Sequence, residues 1–196
     1  MIQKLLPAIA VVSIGTASAA LLVPTGITAF HQGDSLDGDG STLKVIDGSG
    51  MTKGDANDPS TWTASSTAWQ DDWQGFSTPA EDTTWAVMDL GGATTNLDRM
   101  YLWNVQENAA TNRGMADFNL WYSNSPTLAP PAASGTVTTY DFASGGWTQL
   151  GGTSTLAIGT GSNDAGQSFD VSGASGAQFI GIEILTNHGG TRSGFA

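Results

Sequence analysis

From residue 43 onward, short runs of β-branched and aromatic residues alternate with clusters of Gly, Asn, Asp and Pro, and no stretch sustains a 3.6-residue apolar period. The pattern predicts strands at Leu43 to Ile46, Thr61 to Ser65, Thr84 to Leu90, Leu97 to Asn104, Ala116 to Ser123, Val137 to Phe142, Thr148 to Leu150, Ser168 to Val171 and Phe179 to Leu185. In the run Trp85 to Leu90, Trp85 and Val87 take one face and Ala86, Met88 and Leu90 the other, the signature of an inner strand covered on both sides. Ile180, Ile182 and Ile184 share a face, with Glu183 opposite. About nine short strands imply an all-β sandwich or jelly roll. Residues 126–131 and 151–166, rich in Pro, Gly, Ser and Thr, are expected to be long surface loops.

The first residues follow a different rule. Lys4 supplies a positive start, Leu5 to Ile14 an apolar core and Ala17-Ser18-Ala19 a small-residue cleavage site, so residues 1–19 are expected to be a secretory signal. Residues 20–42 then form a lead-in strand and a loop, and residues 43–196 the sandwich, its last strand cut short. The loop run Asp34 to Gly40 lacks the bidentate Glu and flanking helices of an EF-hand. No later stretch is long and apolar enough to span a bilayer. A secreted or cell-surface bacterial protein is the expectation.

Charge and composition narrow the partners. The net charge is −12 with only 6 Lys and Arg. Nucleic acid is therefore excluded as a partner, because a phosphate-binding surface needs clustered cations. The chain has no Cys, which removes disulfides, thiolate metal sites and cysteine nucleophiles.

Five segments carry a resemblance. Val45 to Met51, with its Asp47-Gly48 turn, precedes Trp62-Thr63-Ala64-Ser65 and then Trp85-Ala86-Val87-Met88-Asp89-Leu90-Gly91. Leu97 to Asn104 is followed by Asn112-Arg113-Gly114-Met115-Ala116-Asp117-Phe118. Together these resemble the discoidin (coagulation factor 5/8 type C) family over residues 43–123 and, more loosely, 179–195. The resemblance implies a jelly roll of eight or nine strands, similar to bacterial carbohydrate-binding modules. It further implies loops at one end that bind glycan, lipid or protein, no catalysis, and a structural calcium ion pinning the Asp47 loop to the C-terminal strand. The chain departs from the family in an Asp47 loop expanded by residues 51–60 and in the missing acidic residue after Gly194-Phe195-Ala196.

The candidate residues follow from both lines of reasoning. Trp69, Asp72, Trp73 and Phe76 place rings beside carboxylates, the combination that stacks on a pyranose and bonds its hydroxyls; the alternative is that the rings plug the sandwich. Arg113, His188 and Arg192 are further ligand candidates, against which Arg113 can pair with Glu107 or Asp117 and His188 can serve a turn. Trp62, Trp85, Trp103 and Trp121 are assigned to packing. Asp47, Asp55, Asn57 and Asp58 offer hard oxygens for Ca2+, and equally are turn formers. No nucleophile elbow, metalloprotease helix or phosphate loop occurs, though a carboxylate pair for glycoside hydrolysis leaves no sequence signature. The expectation is a non-catalytic binding module for carbohydrate or another extracellular ligand. The alternatives are a structural or adhesive envelope protein, and a glycoside hydrolase or its accessory domain.

Overall fold

The computed structural model describes residues 20–29, 44–48, 50–68, 72–75, 84–93, 96–130 and 138–196. The expected signal (1–19) and the acidic run 34–40 lie outside them. The strands are β1 (Gly26–Ala29), β2 (Met51–Asp55), β3 (Asp58–Ala64), β4 (Trp73–Gly75), β5 (Trp85–Asp89), β6 (Arg99–Leu102), β7 (Asp117–Ser123), β8 (Thr148–Thr155), β9 (Asp164–Ala165), β10 (Gln167–Asp170), β11 (Phe179–Ile184) and β12 (Ser193–Phe195).

One layer is an antiparallel sheet in the order β1-β5-β11-β7-β8. Opposite it lie three smaller ladders, β2-β3-β9, β6/β10 and β4/β12. Between the layers, Ala86, Met88, Phe118, Leu120, Ile182 and Ile184 from the large sheet meet Trp73, Leu102 and Phe195 from the small ladders. Strand alternation produces this face, as the pattern of β5 and β11 predicted. The chain is thus an all-β sandwich.

The other face of the large sheet has its own core. Residues 138–147 run back across it as an irregular strap and press Tyr140, Phe142 and Trp147 onto Trp85 and Val87, with Trp121 and Phe179 half-buried alongside. Phe142 stacks on Trp121 at 5.7 Å and 11°. The Tyr140 hydroxyl accepts from Trp147 Nε1 at 2.7 Å and donates to the Leu128 carbonyl. Burial holds this phenol above its ordinary value, against the lowering effect of the Trp147 bond.

Several local expectations change. Leu43 lies outside the described residues, and Lys44–Asp47 is a helical turn instead of a strand. Its apolar run is too short to distinguish helix from strand, and Gly48 at φ +80° ends the turn. Val137 also lies outside the described residues, and 138–142 form no ladder. There the Asp141 carboxylate accepts from the Ala143 and Ser144 amides and bends the chain. The 51–60 expansion is the β2–β3 hairpin, and 151–166 contains the end of β8 and all of β9.

The strap closes because β11 has no side chain at residue 181. A Cβ there would stand 2.3 Å from Phe142 Cε1. Gly181→Ala is therefore expected to cost about 1–3 kcal/mol by overpacking. Urea unfolding with near-ultraviolet circular dichroism will show both the lower midpoint and a changed aromatic signal.

Candidate functional site

Four parts of the chain converge at one end of the sandwich: residues 67–68 with 72–75, then 104–114, 156–164 and 187–193. The amide of Asn108 donates to the Thr67 carbonyl. Asp72, 8% exposed, caps the middle segment by accepting the Gln106 and Glu107 amides at 3.2 and 3.1 Å. The Gly190 amide donates to the Asn112 carbonyl, where a Cβ on Gly190 would fall 2.8 Å from Arg113 Cα.

Arg113 ends a single 3-10 turn, Thr111–Arg113. Its Nη1 donates to Glu107 Oε2 at 2.9 Å and, at 3.4 Å, to Oε1 of Gln74. Gln74, 2% exposed on β4, returns its amide to the same Glu107 oxygen at 2.8 Å. A buried amide and a carboxylate thus fix one guanidinium nitrogen. Nε and Nη2 have no partner among the described residues, and the side chain keeps 29% of its surface. Such a group is a rigid donor pair for hydroxyl or anionic oxygens.

A second network braces the first from below. Gln106, 1% exposed, donates to the Asn104 carbonyl and Asp164 Oδ2, and accepts the Gly161 and Ser162 amides. Burial raises the Asp164 carboxyl, but donation from the Thr160 hydroxyl, the Thr160 amide and Gln106 together outweighs it and holds the group below the usual carboxylate value.

The sequence candidates divide accordingly. Arg113 pairs with Glu107, one of its two expected partners, and still faces the site. Asp72 is there as a buried support. His188 is half-buried with Nε2 at 2.9 Å from the Leu156 carbonyl, and Arg192 accepts from Asn187 through its backbone carbonyl, so both brace the 187–193 loop. Trp73 is corrected: it is 2% exposed and packs edge-on against Phe195 at 5.4 Å, so its ring is a core plug with no face for a ligand. Trp69 and Phe76 lie outside the described residues.

The proposed calcium ligands fall on two elements. Asp55, Asn57 and Asp58 sit at the tip of the β2–β3 hairpin, where Asp55 accepts the Asn57 amide and Asp58 accepts both Ser60 donors. Asp47 is on the helical turn before the hairpin begins. Among the described residues no three His, Cys, Asp or Glu side chains form a group able to hold a metal. Through these bonds Asp55 and Asp58 serve the turns of their own hairpin.

Gln74, Glu107 as a shared acceptor, and the Gln106–Asp164 pair are the site residues that the sequence reading passed over as ligand elements. Gln74 lay inside the aromatic segment already singled out. The 58 residues separating Gln106 from Asp164 carry no sequence signal.

The class of protein follows from this geometry: a two-layer β-sandwich whose loops gather polar groups at one end. No family model matches the chain, and no curated protein matches it. Solved structures do. A histidine mutant of the lectin domain of lectinolysin, complexed with Lewis b, has 13% identity over 91% of this chain and 92% of its own, with a TM-score of 0.51. A SusE-like protein has 14% identity over 89% of this chain and 95% of its own, at 0.50. The family 32 carbohydrate-binding module of C. perfringens NanJ, in complex with galactose, has 14% identity over 87% and 88%, at 0.47. These likenesses show the fold, a discoidin-like β-sandwich.

Two expected outcomes test the site's construction. Ala109, beside Glu107, has φ +61°. Left-handed strain of roughly 1–2 kcal/mol exceeds the about 0.4–1 kcal/mol that a glycine adds to unfolded-chain entropy, so Ala109→Gly should raise the melting temperature slightly. Because the folded Asp164 carboxyl titrates below its ordinary 3.8, its stabilisation is complete above that value and is lost as pH falls through the lower folded one. Hydrogen exchange of the Thr160 amide should therefore accelerate only in that acidic window, and Asp164→Asn should abolish the acid step.

Proposed function

We propose that this chain is a secreted, non-catalytic glycan-binding module that takes its ligand at the Arg113 end of the sandwich. The observation that carries this reading is the fixed guanidinium: one nitrogen is tied to Glu107 and Gln74, and the side chain keeps 29% of its surface exposed. Donors held in one geometry bind sugar hydroxyls with little ordering cost. Asp72 and Glu107, the nearest carboxylates, are engaged by backbone amides and by Arg113, an arrangement suited to support more than to acid and base chemistry.

A second reading, an adhesive or structural envelope protein, draws support from the burial of Trp73, which withdraws that ring from stacking. The two readings separate on a glycan array that includes Lewis b and galactose. The glycan-binding reading expects selective retention of the folded chain and at least a tenfold weaker Kd for Arg113→Ala, because a hydrogen bond to a charged donor is worth about 1.5–3 kcal/mol. An array that stays blank for folded protein would move the assignment to the structural role.

A further inference from the structure

The loop site leaves unexplained the most costly group in the large sheet. Glu183 on β11 is 4% exposed, and the two donors on it are neutral: Asn119 Nδ2 and Trp121 Nε1, both 3.0 Å from Oε2. No cation pairs with it among the described residues. A carboxylate in this position is expensive where an apolar residue would pack, and its bonds serve to orient two side chains that reach the surface. Asn119 in turn accepts from the Thr153 hydroxyl at 2.9 Å, so one hydrogen-bonded row crosses β8, β7 and β11.

This row borders the strap. Phe142 stacks on one face of Trp121, and the indole remains half-buried. Gln149, paired with Trp121 in the ladder, and Thr153 are exposed. The result is a ring edged by two amides and a hydroxyl on one face of the sheet, with Trp121, Asn119 and Thr153 each fixed by a hydrogen bond and Gln149 exposed beside them. Those are the elements of a pre-organised platform for a hydroxyl-rich ligand. The chemistry also sets the ligand's charge. The row contains a carboxylate and no cation, on a chain of net charge −12, so an anionic sugar is repelled and a neutral one is not.

We propose that the outer face of the large sheet, at Asn119, Trp121, Gln149 and Thr153, is a second binding surface for neutral polysaccharide chains, with Glu183 as its positioning residue. It is separate from the Arg113 end and does not depend on that site. The test is native electrophoresis of the full chain through gels containing galactomannan, xyloglucan or mixed-linkage β-glucan, with alginate as the anionic control. The expected result is retardation by at least one neutral polysaccharide and none by alginate. An Asn119→Ala, Thr153→Ala double variant, with unchanged near-ultraviolet dichroism, should weaken that retardation at least tenfold. Glu183→Gln, which keeps the shape and one acceptor oxygen, should weaken it less than the double variant does. Arg113→Ala should leave it unchanged while losing array binding. Retardation equal to the parent's in the double variant, its loss in Arg113→Ala, or its absence in all three neutral gels would each overturn the proposal.

Discussion

Strand β11 is buried on both of its faces, and the rest of the molecule is arranged around that constraint. One face presents Ile180, Ile182 and Ile184 to the space between the layers. The other presents residue 181, as glycine, beneath Phe142, and Glu183 beneath Trp121 and Asn119. Its neighbour β5 repeats the arrangement with Ala86 and Met88 inward and Trp85 and Val87 outward. A strand pair sealed from water on both sides loses its ladder hydrogen bonds only at high cost, which makes it a rigid base for loops. The loops at the Arg113 end rest on that base: β7 leaves it just after Gly114, and the 187–193 loop follows β11 directly.

How much of this could be read from the chain depends on the range of the forces involved. Alternation is local, so β5, β7 and β11 emerged nearly at their observed bounds, with both faces of β5 assigned. The strap was legible as apolar but not as strap. Tyr140 and Phe142 have the spacing of a strand, and only the distant Gly181 and Val87 make that segment a cover instead. Short ladders such as β4/β12 were invisible for a similar reason: three residues on each side have no periodicity to display, and their pairing joins residues near 74 to residues near 194.

The candidate site divides along the same line. Arg113 and Glu107 are six residues apart, and their pairing was within reach of sequence reasoning. Trp73 was misplaced because a ring beside carboxylates reads alike whether it faces a sugar or a core. What decides is Phe195, more than a hundred residues away. Asp55, Asn57 and Asp58 read alike for either role, since oxygens that suit calcium equally satisfy the amides of their own turns.

The acidity of the chain takes on a different meaning once these carboxylates are followed individually. Asp72 accepts two backbone amides, Asp164 a hydroxyl and two N–H groups, and Glu183 an indole and an amide. Glu107 meets a cation, Arg113. On a chain with 18 acids and only 6 basic side chains, neutral N–H and O–H donors hold Asp164 and Glu183. Hydrogen bonding to the charged form does stabilise it, but each such bond also consumes a donor and fixes its direction. In a sandwich without disulfides, these carboxylates act as connectors between segments far apart in sequence, and the side chains they order include amides and an indole.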